Sequence, residues 1–206
     1  MTERERFLAT QRFHKPDRAP LYELGLWGQT AERFMAEGMP ESALTNWFEG
    51  CDYFGFDRRM FVPLDIGPIP RFDQKTLEKT DRYEIFQDDW GTQHKALIEG
   101  TARGCRMSMD QYFRFAVQTP VDWAEVKKRF DPHAPQRYPA NWDELVAKWK
   151  ARSCPLCLLT NGTFGFYSMA RRLMGTENLS LAFYDHPGMV HEMMEFFADF
   201  FIELTH

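Results

Sequence analysis

Apolar and polar positions follow two different periods along the chain, and these periods predict where helices and strands lie. The clearest helical stripe follows Pro187, where apolar residues recur every three or four positions from Val190 to Leu204. Short apolar runs near residues 20–25, 58–64 and 155–160 are bounded by glycine or proline and predict buried strands. Because helical patterns alternate with these runs, the sequence predicts βα units of an α/β fold.

The pattern changes between about residues 70 and 120, where strand-like segments follow one another without helices. These segments, Lys75–Asp88, Thr92–Ile98 and Tyr112–Gln118, are separated by glycine and charged turns. They predict an antiparallel β insertion near residues 70–120. The three remaining strands are fewer than the eight of an α/β barrel, which needs roughly 250 residues.

Together these segments predict an α/β chain with a partial (β/α)8, TIM-barrel-like architecture. Residues 1–206 are expected to form a single domain that is truncated at its C-terminus, since the sequence ends inside an apolar helical pattern. A smaller open α+β domain is the alternative that the strand count leaves open.

Composition and charge limit the classes of protein to which this chain can belong. The 206 residues are 44% hydrophobic and 27% charged, which is typical of globular proteins, and the net charge of −5 gives no electrostatic basis for binding nucleic acid. The sequence has no apolar run of 18 residues and begins with a charged helical segment, so we expect neither a membrane span nor a signal peptide. Four cysteines do not make a disulfide framework, and a cytoplasmic protein is expected.

Candidate site residues follow the predicted strands, because α/β folds bind ligands at the carboxyl ends of their strands. Asp65 follows the second strand and could accept a hydrogen bond from a substrate or exchange a proton; a turn aspartate bonding its own backbone is the alternative. Glu23 could bind a polar group of a substrate, or pair with an arginine, and Trp27 could form a wall. The turn and helix start after the third strand contribute Asn161, Thr163 and Tyr167.

Three further features have structural explanations as well as functional ones. Cys154 and Cys157 form a C-x-x-C pair, but residues three apart in a strand face opposite ways, so core thiols are expected. The segment 88–94 (DDWGTQH) could line a pocket or make a turn. Arg171 and Arg172 could reach an anion or lie on a solvated helix face.

Several stretches, taken in order, resemble the uroporphyrinogen decarboxylase superfamily, specifically its divergent members grouped with cobalamin-dependent methyltransferases. They are KPDRAPLYELG (15–25), DYFGFDRRMFVPLDIGPIP (52–70), QDDWGTQHK (87–95), the stretch from NWDEL to RRLMG (141–175) and LAFYDHPGMVHEMMEFFADF (181–200). The similarity covers essentially the whole chain. Family members fold as (β/α)8 barrels and are longer, so the resemblance implies that this chain is the N-terminal part of such a barrel.

The resemblance also implies roles for particular residues. Asp65 resembles the carboxylate that faces the pyrrole NH groups in decarboxylases, and would be catalytic. The turn 162–165 resembles a family turn and adds Phe164 to the substrate-binding residues. The sequence departs from decarboxylases at 25–29, where no arginine is present to bind substrate carboxylates.

The function implied is decarboxylation of a tetrapyrrole carboxylate or methyl transfer linked to a corrinoid. A decarboxylase would need no cofactor within this segment, whereas a methyltransferase would use zinc, a corrinoid and a corrinoid protein as partner. The expected small-molecule partner is accordingly a tetrapyrrole or a methyl donor. A non-catalytic fragment or binding subunit, completed by another chain, is the alternative. An incomplete barrel would also leave an apolar surface that favours a homodimer.

Overall fold

A computed structural model describes residues 1–23, 25–98, 109–158 and 165–206. Within these ranges the chain is a mixed α/β protein. Its helices are α1 (Glu3–Gln11), α2 (Gly28–Ala36), α3 (Ser42–Thr45), α4 (Trp47–Phe54), α5 (Pro120–Val126), α6 (Trp142–Lys150), α7 (Phe166–Met174), α8 (Thr176–Asp185) and α9 (Pro187–Thr205). Its strands are β1 (Met60–Val62), β2 (Lys75–Lys79), β3 (Tyr83–Gln87), β4 (Gln93–Leu97), β5 (Gln111–Arg114) and β6 (Leu156–Leu158).

The strands form two sheets of different kinds. β1 and β6 pair in parallel, with Met60 opposite Leu156 and Val62 opposite Leu158. The other four strands form an antiparallel sheet in the order β2-β3-β4-β5. The predicted antiparallel insertion is therefore confirmed, as is the α/β class. The described residues contain no closed barrel.

The described residues divide into two compact units, each built from segments far apart in the sequence. The first holds the described parts of 1–63 and 139–158, and the second those of 64–98, 109–138 and 165–206. The expectation of one domain over residues 1–206 stays a prediction.

In the first unit, helix ends lie where short polar side chains can cap them. Thr2 and Glu5 form a capping box at the start of α1, in which each side chain accepts the other residue's backbone N–H. The helices α3 and α4 are separate because Asn46 between them is extended and its side chain accepts N–H groups from the start of α4.

The strand predicted near residues 20–25 is extended but does not belong to a regular sheet. The backbone N–H of Asp57 donates to the carbonyl of Leu21. The backbone N–H of Leu21 in turn donates to the side-chain carboxylate of Asp57 and not to a backbone carbonyl. Farther along, the carbonyl of Glu23 accepts a hydrogen bond from the Arg59 guanidinium. This segment therefore has one backbone partner, the N–H of Asp57, and side-chain partners in Asp57 and Arg59, which do not make a strand ladder. Leu24 lies outside the described residues.

In the second unit, α9 supplies the centre of the apolar core. The predicted stripe is confirmed, since Met193 and Phe197 are fully buried and Phe197 packs against Trp123 and Phe130. The N–H of Val117 donates to the carbonyl of Leu173 and joins the end of α7 to the segment after β5. In the part of the chain that the structure describes, no helix combines the length and the apolar character needed to cross a membrane.

Candidate functional site

The predicted catalytic residue, Asp65, lies in a turn and is already paired. Its Oδ1 accepts the N–H of Gly67 at 2.9 Å, and Nη2 of Arg71 lies 2.7 Å from both carboxylate oxygens. Asp65 therefore makes the turn contact that the sequence offered as its structural explanation. Its side chain remains 31% exposed, so a substrate NH could reach it by sharing it with Arg71, and its catalytic role stays a prediction.

The predicted substrate-binding residues are distributed over both units. In the first unit, Glu23 is exposed and Trp27, at the N-cap of α2, is 64% exposed. In the second unit, Tyr167 is exposed in the first turn of α7. The remaining predictions, Asn161, Thr163 and Phe164, lie outside the described residues.

A different set of polar side chains converges in the second unit. We call Asp88, His94, Asp110 and Arg172 the His94 cluster. Nε2 of His94 and Nη2 of Arg172 lie 2.8 Å and 2.7 Å from the same oxygen, Oδ2 of Asp88. On its other side, Nδ1 of His94 lies 3.3 Å from Oδ2 of Asp110. Two carboxylates, an imidazole and a guanidinium thus meet within one network.

Local sequence explains why Asp88 and His94 meet. Asp88 directly follows β3, and its Oδ1 accepts the N–H groups of Trp90 and Thr92 at 3.0 Å and 2.8 Å. Gly91, with φ +78°, adopts the left-handed conformation that closes this turn. The chain then returns as β4 and brings His94 back beside Asp88.

Aromatic rings fix the imidazole in place. His94 is paired with Phe86 across the β3–β4 ladder, and the two rings are stacked with centroids 4.8 Å apart. On the neighbouring strand β5, the ring of Tyr112 lies 4.5 Å away. Because only 7% of the His94 side chain is exposed, the imidazole is held in a single orientation.

The charges in the cluster keep Asp88 ionised. Burial alone would raise the pKa of Asp88, but the hydrogen bonds from His94 and from the N–H of Thr92, with the charge of Arg172, lower it below its usual range. An ionised Asp88 can only accept, so Nε2 of His94 carries the hydrogen of their bond. Asp88 therefore orients His94 and selects the nitrogen that is protonated.

Two polar atoms beside this pair are buried and have no hydrogen-bond partner among the described residues: Nδ1 of His94 and the hydroxyl oxygen of Thr92. The contact of Nδ1 with Asp110 has the distance of an ion pair without the alignment of a hydrogen bond. Nδ1 of His94 therefore has no described hydrogen-bond partner on the side of Asp110, while Nε2 remains bonded to Asp88.

Sequence reasoning singled out residues 88–94 and Arg172 separately and did not connect them. Arg172 is 84 positions from Asp88 and comes from the last turn of α7, where a pair of arginines is also typical of a solvated face. Asp110 was not predicted. The alternating strand pattern could have placed His94 on one face of a strand. It could not have shown that Asp110 and Arg172, from other parts of the chain, lie beside it.

The described cysteines are buried or half-buried, and Cys105 lies outside the described residues. Cys51 and Cys154 are buried, Cys157 is half-buried, and burial raises the pKa of the Cys51 and Cys154 thiols. In the ranges 1–23, 25–98, 109–158 and 165–206, no group of three or more His, Cys, Asp or Glu side chains is placed to hold a metal ion. We assign no zinc ligands to these residues.

Comparisons with known proteins do not add to this picture: no family model, no curated protein and no solved structure matches the chain.

Proposed function

We propose that the protein is a uroporphyrinogen decarboxylase-like enzyme that decarboxylates a tetrapyrrole or a related small molecule with several carboxylates. Two kinds of evidence support the proposal. The order of the sequence stretches resembles that superfamily. The parallel pairing of β1 with β6 is a feature that neighbouring strands of a (β/α)8 barrel would have.

The observation that carries the proposal is the hydrogen-bonded Asp88–His94 pair beside the guanidinium of Arg172. Decarboxylation breaks the bond between a carbon and its carboxylate, releases CO2 and places a proton on the carbon that loses it. An imidazole that can donate a proton and a cation that binds carboxylates are two groups that can serve this reaction. Within the cluster, His94 provides the imidazole and Arg172 provides the cation.

Each residue then has a stated role. Asp88 orients His94, the imidazolium form of His94 supplies the proton that the carbon gains when CO2 leaves, and Arg172 binds a carboxylate of the substrate that does not react. Holding the reacting carboxylate this tightly would stabilise the ground state rather than the transition state. Asp65 would face the pyrrole NH groups, as the resemblance implies.

The test is to incubate the purified protein anaerobically with uroporphyrinogen and to measure the decarboxylated porphyrins by chromatography after oxidation. We expect turnover in the wild type and a loss of roughly 100-fold or more in kcat for His94→Gln, the range for a general acid or base. His191→Gln is the matched control, because His191 is 75% exposed on α9 and should leave turnover unchanged. Equal activity of His94→Gln and wild type would refute the role of His94.

A second assay addresses the methyltransferase branch of the family. There, zinc activates a thiol and a corrinoid protein supplies or accepts the methyl group. Incubation with methylcobalamin and a thiol, followed by the absorbance of cobalamin, would show methyl transfer if this branch were correct. Transfer of the methyl group without formation of porphyrin products would replace the decarboxylase proposal.

The burial of His94 favours one further function, that of a non-catalytic binding subunit. With 7% of its side chain exposed, His94 could hold the antiparallel sheet together without meeting a substrate. A folded protein that binds uroporphyrinogen but turns over neither substrate would support this function.

A further inference from the structure

Arg172 differs from the other members of the His94 cluster because its side chain is partly open to solvent. It is 30% exposed, whereas the side chain of Asp88 behind it is 13% exposed. One N–H donor of Nη2 is used by Asp88, and the described residues provide no other acceptor for the guanidinium. An arginine has five N–H donors, so most of them remain available on the open side.

The guanidinium also lies over an aromatic ring. Its central carbon is 5.4 Å from the centroid of Trp90, in the range of a cation–π contact. Trp90 is itself held in place, since its N–H donates to Asp88 and its ring lies 6.2 Å from that of Phe130. Asp88 therefore fixes both the cation and, through the backbone, the indole beside it.

This arrangement orients Arg172 before any ligand binds. An arginine side chain loses conformational entropy when it binds an anion. Arg172 loses less, because a carboxylate and an aromatic ring already hold its guanidinium. A charge-assisted, forked contact from a planar guanidinium matches the two oxygens of a carboxylate. A planar ring attached to that carboxylate could in turn pack against the indole of Trp90.

We infer that Arg172 and Trp90 form a binding site for an organic anion that carries a carboxylate on a planar aromatic ring, either directly or through a short arm. The inference deepens the proposed function. It rests on that function in one respect, namely that the His94 cluster acts on such molecules. Arg172 is the residue that selects the carboxylate, and Trp90 is the residue that selects the ring.

The probe for this site is isophthalate, a benzene ring with two carboxylates, titrated into the full chain by isothermal titration calorimetry. Isophthalamide, the uncharged diamide, tests the need for charge, and inorganic phosphate tests the need for the ring. We expect isophthalate to bind at least about tenfold more tightly than either, because only isophthalate offers both a carboxylate and a ring.

Variants identify the residues responsible. Arg172→Gln should weaken isophthalate binding by roughly tenfold or more, and Trp90→Leu should weaken isophthalate but not phosphate. The matched control is Arg171→Gln, which removes the same charge from the exposed neighbouring position on α7 and should change affinity less than about twofold. Near-ultraviolet circular dichroism of each variant checks that it is folded. Arg172→Lys retains the ion pair with Asp88 but not the fork, and should still lose affinity.

Equal losses for Arg171→Gln and Arg172→Gln would overturn the inference, as would unchanged affinity in Arg172→Lys. Phosphate that binds as tightly as isophthalate would overturn the assignment of Trp90. The titration requires no turnover, so its result is independent of the enzyme assay. Binding without decarboxylation would contradict the proposed reaction alone, and decarboxylation without Arg172-dependent binding would contradict this inference alone.

Discussion

Arg6 and Asp57 form an ion pair in the first unit although 51 positions separate them. The two side chains are 9% and 1% exposed. Arg18 donates two further hydrogen bonds to the same carboxylate, at 2.7 Å and 3.0 Å, and the N–H of Leu21 donates another at 2.7 Å. One buried carboxylate thus joins α1, the extended segment that follows it and the chain just before β1.

Removing this charge should destabilise the protein strongly. We expect Asp57→Asn to lower the free energy of unfolding by about 2 kcal/mol, because the buried guanidinium of Arg6 then keeps only Asp17 as a charged partner. The control is Asp52→Asn, since Asp52 is 64% exposed and lies 3.9 Å from Arg58, and it should cost less than about 0.5 kcal/mol. Urea unfolding followed by circular dichroism measures both. A change below 0.5 kcal/mol for Asp57→Asn would show that the network is not important for stability.

The same carboxylate makes stability depend on acid pH. Burial alone would raise the pKa of Asp57, but the N–H of Leu21 and the guanidinium of Arg18 lower it below its ordinary value of 3.8. Because the folded pKa is the lower one, the contribution of Asp57 is fully present above the unfolded value. It is lost as the pH falls below about 4 and through the folded pKa.

We therefore expect the melting temperature of the wild type to fall more steeply than that of Asp57→Asn between about pH 4.5 and 2.5. Between pH 6 and 8 the two should change in parallel, since Asp57 is ionised throughout that range. Thermal unfolding followed by circular dichroism at each pH gives the comparison. Parallel curves over the acid range as well would contradict a lowered pKa for Asp57.

Local patterns were sufficient to predict most individual elements. The stripe of α9, the Pro187 at its start and the capping box of α1 depend only on neighbouring residues, and the structure has each of them. The change of period near residue 70 correctly predicted an antiparallel sheet. The parallel partner of β1 was harder to predict, because β6 lies about a hundred positions later.

Long-range polar contacts could not be predicted in this way. The segment near residues 20–25 has the apolar pattern of a strand, yet it bonds to the backbone N–H of Asp57 and to the side chains of Asp57 and Arg59, and no local pattern reveals these contacts. Arg172 has the sequence context of a solvated helix face, and only the fold places Asp88 beside it. For Asp65, the sequence offered a turn and a catalytic role, and the structure shows the turn contact without excluding the role.

Gly175 joins α7 to α8 at a point where a side chain has no room. Its φ is +79°, and a Cβ at this position would overlap the ring of Phe115. We expect Gly175→Ala to cost roughly 2–4 kcal/mol, the sum of the backbone strain and the steric overlap. Gly38→Ala is the control, because Gly38 also has a positive φ, +106°, but open space around it. It should cost about 1 kcal/mol. Equal costs in urea unfolding would mean that Phe115 moves aside without penalty.

Phe197 occupies the centre of the core of the second unit, and its truncation tests whether α9 stabilises that core. Its ring is fully buried, with the rings of Phe130 and Trp123 at 5.4 Å and 5.7 Å. Phe197→Ala should lower the free energy of unfolding by about 3–5 kcal/mol, because it removes buried apolar surface and leaves a cavity. Phe183→Ala is the matched control on α8, where the ring is 47% exposed and the loss should stay below about 1 kcal/mol. If the two substitutions cost the same, the packing of α9 against Trp123 and Phe130 would not be the main source of stability in this unit.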